Sequence, residues 1–441
     1  MSEIEVRGLC RMQGEIVVQG SKNAVLPMMA ASILNSGRTV LENVPRIQDV
    51  FCMMGILNSL GCVCRLTGNR MEIDASVLSG CSVEKEEMEK MRSSIMLLGA
   101  LLGRLGEARL CSPGGCRIGR RPIDFHLEVL RGLGAEIEEE ESGFLRARAA
   151  KLSGSRISLP FPSVGATENA LFAAVMASGR TVLSGCAREP EIRELCDFLN
   201  SMGASVRGGG TSVIVVEGGL PLHNTRFVVG GDRIVAGTYL LSAVSAGGEL
   251  LLTGFETSGL RAVTTSLRRM GATVYEEEEL IYIRSMARPE PLSVKTGPYP
   301  AFPTDLQSVM MAVLCLARGE SSLEETVFEN RLGTAQELKK MGARIDCDEK
   351  KACIFGVSCL SGTRVEAADL RGGAALITAA LGAEGITRIG GCAHILRGYE
   401  DICRDLKKVG VHIRMREPYE TKERVCSEKY EYGKAVGDAV K

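Results

Sequence analysis

Between Ser112 and Asp124 the chain reads Ser-Pro-Gly-Gly-Cys-Arg-Ile-Gly-Arg-Arg-Pro-Ile-Asp. Glycine and proline at this density specify an exposed turn, and there Cys116 is crowded by Arg117, Arg120 and Arg121. Guanidinium groups stabilise a thiolate, so this is a setting in which a thiol donates its proton and reacts, whereas most free cysteines are buried small hydrophobes. A second group of cations stands at the starts of Ala/Leu-rich helical runs: Lys22 beside Asn23, Arg92 before Ser93 and Ser94, Arg233 after Asp232, and Arg371 after Asp369. Two further runs begin at Thr167-Glu168 and Thr304-Asp305. A cation at a helix start opposes the helix dipole by about 0.3–1 kcal/mol, so it does little for folding alone. Helix-terminal N–H groups already favour negative charge, and four cations added to them predict a polyanionic ligand rich in phosphate or carboxylate. For any one of them a solvated end residue is the alternative.

The elements that would carry these residues repeat. A glycine closing a helical segment returns at Gly61, Gly134, Gly203, Gly271, Gly342 and Gly410, at intervals of about 70 residues. Some 23–28 residues earlier comes another turn glycine (Gly37, Gly106, Gly179, Gly248, Gly319, Gly385), preceded by a helical run and followed by β-branched residues. Each unit therefore reads helix, strand, helix, strand pair. A unit this long is unusual for a solenoid, and two α/β globules of three units each fit better. Gly230 and Gly231 mark the crossing. The expected domains are residues 22–229 and 230–416, with residues 1–21 a strand completing the second and residues 417–441 a charged appendage. If the helix starts of both globules point the same way, the ligand lies in the cleft between them.

Composition narrows the function. With 53 basic against 54 acidic residues, no overall field attracts nucleic acid or an anionic membrane, so neither is an expected partner. No leader pattern and no membrane-spanning apolar run is visible, so a cytoplasmic protein is expected, and the 16 cysteines read mostly as reduced, buried thiols. The four histidines lack metal-ligand spacing, so no metal is expected.

Six ordered motifs then resemble one family. They are Gly-Ser-Lys-Asn-Ala-Val-Leu-Pro from Gly20, Pro-Gly-Gly-Cys-Arg-Ile-Gly-Arg-Arg-Pro-Ile-Asp-Phe-His from Pro113, and Ser-Val-Gly-Ala-Thr from Ser163. The others are Ala-Arg-Glu-Pro-Glu-Ile from Ala187, Phe-Pro-Thr-Asp from Phe302, and Phe-Glu-Asn-Arg from Phe328. Over residues 1 to about 416 the chain resembles the UDP-N-acetylglucosamine 1-carboxyvinyltransferases of peptidoglycan precursor synthesis. The resemblance implies two inside-out α/β globules of three βα repeats with the active site between them, and enolpyruvyl transfer from phosphoenolpyruvate to the sugar 3′-hydroxyl without a cofactor.

It also implies roles. Cys116 would protonate C3 of phosphoenolpyruvate, form a phospholactoyl adduct and be alkylated by fosfomycin; Asp305 would take the hydroxyl proton. Lys22, Asn23, Arg121 and Arg397 would contact phosphoenolpyruvate. Arg92, Arg121, Pro122, Ile123, Asp124, Phe125, Ser163, Val164, Asp305 and Val327 would contact the sugar nucleotide, with Arg331 and Arg371 as further cleft residues. The chain departs from the family pattern at Leu332, Gly333 and Thr334 after the Phe-Glu-Asn-Arg motif, and at Leu396 before Arg397. Those departures motivate a rival reading, a non-catalytic paralogue that binds the sugar nucleotide. The sister enzyme acting on shikimate 3-phosphate ranks lower, because its family lacks the Cys116 motif.

Overall fold

The computed structural model of the chain describes residues 2–111 and 122–416, apart from the side chains of Lys90 and Arg92. Six four-stranded sheets share one topology. Each sets a strand parallel to the first strand of a repeat, which in turn pairs antiparallel with the second strand of a hairpin, as in Arg156–Ser158, Gly179–Ser184, Val213–Gly218 and Ser205–Arg207, except that in one sheet Glu3–Arg7 and His412–Arg416 take the place of the hairpin. The closing glycines Gly61, Gly134, Gly203, Gly271, Gly342 and Gly410 all have φ between 88° and 100°, a region closed to most side chains by their Cβ, which is why the repeat is punctuated by glycine.

The helices, not the sheets, occupy the centre. Arg233–Ala246, Gln307–Leu314 and Leu370–Leu381 pack against one another, and nearly every residue in them is buried. Such helices are apolar around most of their circumference because no face meets water. The second helix of each repeat is amphipathic and lies outside; Pro190–Ser201 buries Ile192, Leu195, Cys196, Phe198 and Leu199 on one side. Strands alternate buried and half-exposed residues, as Gly248–Thr253 does, so each sheet covers the helical centre with one face.

Two hydrophobic cores result. One draws its members from Ala24 to Val229; the other combines Ile4 to Val18 with Ile234 to Ile413. The first 20 residues form two strands rather than one: Glu3–Arg7 pairs with His412–Arg416 and Ile386–Gly390, and Met12–Val17 pairs with Gly248–Thr253. The chain thus passes between cores twice, and the crossings run side by side. Ser21 donates its N–H to the Gly230 carbonyl (2.8 Å), and Asp232 donates to the Gln19 carbonyl (2.8 Å).

Candidate active site

The helix starts converge where the two cores meet. Ser21 caps helix Lys22–Ala31 and Asp232 caps helix Arg233–Ala246, its Oδ1 accepting from Ile234 (2.8 Å) and Val235 (3.1 Å). Oδ2 of Asp232 accepts the backbone N–H of Lys22 at 3.0 Å, so one carboxylate joins two helix N-termini from different cores. Burial raises the Asp232 pKa; Arg371 and these backbone donors oppose the rise.

The side chains arrange themselves in two ion clusters. Lys22 Nζ lies 2.7 Å from Asp49 Oδ2, and Arg397 approaches the same carboxylate with Nε at 2.8 Å and a terminal nitrogen at 3.2 Å. Asp49 sits in the first turn of helix Gln48–Ser59 and is 1% exposed. Burial pushes its carboxyl upward, but Lys22 and Arg397 outweigh that and hold it below the usual range. Lys22 loses basicity through burial, partly restored by Asp49 and further eroded by Arg371 and Arg397, which places all three cations in one field.

In the second cluster Asp305 accepts from Arg331 (2.7 Å) and Arg371 (2.6 Å). Burial opposes ionisation of Asp305, yet Arg371 and then Arg331 hold its pKa well below the usual range. Both arginines are buried, and Arg331 Nε has no partner among the described residues. Four cations (Lys22, Arg331, Arg371, Arg397) therefore stand against three carboxylates (Asp49, Asp232, Asp305). Such a surplus suits an anionic ligand.

The other residues expected in the site are placed by their own elements. Asn23 follows Lys22 in the first helical turn, and Ser163 caps helix Val164–Met176 with Val164 as its first residue. Pro122 and Ile123 lead into helix Asp124–Gly132, where Ile123 and Phe125 pack on the first core. Val327 is held by Glu325, whose Oε1 accepts from Val327 (2.8 Å) and Phe328 (3.1 Å) while Oε2 accepts from the Thr304 hydroxyl (2.9 Å). Cys116 and Arg121 lie outside the described residues, as does the Arg92 side chain.

Arg233 behaves differently from the other helix-start cations. It is 8% exposed and bonds Glu191 through Nε at 2.9 and 3.2 Å, so it ties the two cores together. Its neighbours are acidic. Glu168 is buried and pushed up to about 8 by burial, then Glu191 and Glu189; Glu189 is raised by burial and accepts from the Tyr299 N–H at 3.4 Å.

Sequence reasoning missed Asp49, Asp232 and Glu325 as site residues. Asp232 was visible as a cap beside Arg233, but the pairing of Asp49 with Arg397 spans 348 positions and has no local signature. Of the departures from the family pattern, Leu332 is buried in the second core, Thr334 faces Ser308 (3.5 Å between hydroxyls), and Leu396 accepts the Gln48 N–H at 3.1 Å. Seven of the fourteen described cysteines are buried, fewer than composition suggested.

Comparison with known proteins agrees with this fold. Residues 6–406 match the family model described as EPSP synthase (3-phosphoshikimate 1-carboxyvinyltransferase), and the chain belongs to that enolpyruvyl transferase family. Among solved structures, the enolpyruvyl transferase NikO from Streptomyces tendae aligns with TM-score 0.84 at 25% identity, covering 94% of this chain and 98% of that one. EPSP synthase from Acinetobacter baumannii shares the fold, with TM-score 0.74 at 19% identity over 95% of this chain and all of that one.

Within the family, relatives matched along nearly their whole length include UDP-N-acetylglucosamine 1-carboxyvinyltransferases. That of Symbiobacterium thermophilum is 46% identical over 92% of this chain and 94% of its own, and one from Caldanaerobacter subterraneus is 44% identical over 94% and 99%. Among the described residues no helix is long and apolar enough to cross a membrane, and no group of three or more His, Cys, Asp or Glu side chains could hold a metal ion.

Proposed function

We propose that this chain transfers the enolpyruvyl group of phosphoenolpyruvate to the 3′-hydroxyl of UDP-N-acetylglucosamine and releases phosphate. The observation that supports it best is the meeting of Lys22, Arg331, Arg371 and Arg397, contributed by both cores, around carboxylates too few to neutralise them. Phosphoenolpyruvate carries a phosphate and a carboxylate, and either can displace Asp49 or Asp305 from its cations.

In the first step the sugar oxygen bonds to C2 while C3 gains a proton, giving a tetrahedral adduct. In the second, C3 loses a proton, the double bond returns and phosphate departs from C2. Cys116 donates the proton to C3 and Asp305 accepts the hydroxyl proton. Bound to two arginines, Asp305 is a weak base, so it gains basicity only as Arg371 or Arg331 turns to the incoming anion. Lys22, Asn23, Arg121 and Arg397 bind phosphoenolpyruvate. Arg92, Arg121 to Phe125, Ser163, Val164 and Val327 bind the sugar nucleotide. On this reading the protein works in the cytoplasm at the entry to cell-wall precursor synthesis, and Cys116 is the site of fosfomycin alkylation.

The test is product analysis by mass spectrometry and NMR after incubation with both substrates. An enolpyruvyl ether on the 3′ oxygen, absent with Cys116→Ala, supports the proposal. Binding of the sugar nucleotide without any product favours the non-catalytic paralogue.

A further inference from the structure

The Arg397 guanidinium projects from Leu396–Glu400, a segment without regular structure that follows the short helix Cys392–Ile395. Irregular backbone at a buried junction must find partners for its N–H and C=O groups outside any ladder. Here one side chain supplies two of them. Gln19 Nε2 donates to the Gly398 carbonyl at 3.1 Å, and its Oε1 accepts the Glu400 N–H at 2.7 Å. A carboxamide offers one donor face and one acceptor face, so it grips the peptides on either side of Tyr399 as a neighbouring strand would.

Gln19 itself is anchored by its backbone. Its carbonyl accepts from Asp232, and the next residues, Gly20 and Ser21, pair with Gly231 and Gly230 in the second crossing. Gly20 cannot carry a side chain there, because a Cβ would lie 1.8 Å from the Asn43 carbonyl oxygen. The opposite side of the segment is equally confined: a Cβ on Gly398 would meet the Leu370 side chain at 2.7 Å, and Tyr399 Oη is 2.8 Å from the Thr238 hydroxyl. In the ligand-free protein Asp49 also fixes Arg397, but that tie weakens when an anion competes for the guanidinium.

We infer that Gln19 is a positioning residue that holds the Arg397 segment to the paired crossing strands, so that the guanidinium stays aimed at the cleft once Asp49 releases it. The inference rests on the proposed reading of Arg397 as a phosphoenolpyruvate contact.

Gln19→Met keeps the length of the side chain and removes both hydrogen bonds; Gln19→Glu keeps the acceptor and sets a carboxylate against the Gly398 carbonyl. Two hydrogen bonds of ordinary net strength correspond to roughly a thirty-fold change. Gln19→Met is therefore expected to raise KM for phosphoenolpyruvate about thirty-fold, to leave KM for UDP-N-acetylglucosamine near wild type, and to lower the melting temperature by a few degrees. Gln19→Glu is expected to raise KM for phosphoenolpyruvate further. Hydrogen exchange by mass spectrometry on the ligand-free proteins gives a second readout, because the Glu400 amide loses its acceptor in Gln19→Met and should exchange faster. Equal rises in both KM values, or wild-type exchange at Glu400 in Gln19→Met, overturn the inference. Absence of turnover by the wild-type protein sinks the functional reading alone, and the exchange measurement still decides the role of Gln19.

Discussion

Two charged clusters join the halves of this molecule, and their imbalance has opposite sign. Around Asp49 and Asp305 the cations outnumber the carboxylates; around Arg233 the carboxylates Glu168, Glu189 and Glu191 outnumber the cation. Buried charge of one sign must be relieved, and the two clusters have different means. Arginine cannot shed its proton, so Arg331 and Arg371 on the single carboxylate of Asp305 keep their surplus until an anion arrives. A glutamic acid can stay protonated, so the second relieves itself without any ligand. The same kind of helix-start cation thus joins a cation surplus in Arg371 and a carboxylate surplus in Arg233.

The largest expected effect breaks the pairing of Asp305 with its two arginines. Arg371→Ala leaves Asp305 with Arg331 alone, and should cost about 2–4 kcal/mol of stability in denaturant unfolding while lowering kcat/KM at least 100-fold. Next, Asp49→Asn removes the shared partner of Lys22 and Arg397. The ligand-free variant should lose about 1–3 kcal/mol, and added inorganic phosphate should raise its Tm more than it raises that of the wild type. An equal response of both proteins would show that Asp49 does not occupy an anion site.

A smaller effect sharpens the contrast through pH. Folded Glu168 keeps its proton up to about 8, whereas the unfolded side chain loses it near 4.5. Folding takes up a proton between those values, so stability falls as pH rises across that window. Glu168→Gln should match wild type near pH 5 and exceed it by about 1–3 kcal/mol at pH 8.5. Asp49 and Asp305 have the opposite sign. Their depressed pKa values stabilise the fold above the unfolded carboxylate range, and that contribution is lost as pH drops through and below about 4.

Much of the fold was legible in the chain because local chemistry repeats: six glycines at matched positions, each requiring a left-handed backbone, announce six units. Lys22, Arg371 and Asp305 were visible for a related reason, since helix starts advertise themselves and a cation there needs an explanation. What stayed hidden depends on distant pairing. Gln19 reaches across 379 positions to Gly398, and Arg233 looked like Arg371 until Glu191 was seen against it. Residue type set the possible chemistry at each helix start, but the partner decided its use.

Phosphate release from phosphoenolpyruvate, measured with and without UDP-N-acetylglucosamine for wild type and Lys22→Ala, is the decisive experiment. Release that requires the sugar nucleotide and slows at least about 100-fold in the variant is expected of a surplus cation cluster that stabilises the reacting phosphate. Release that ignores the sugar nucleotide, or that survives unchanged in Lys22→Ala, would contradict the assignment of this cluster as the active site.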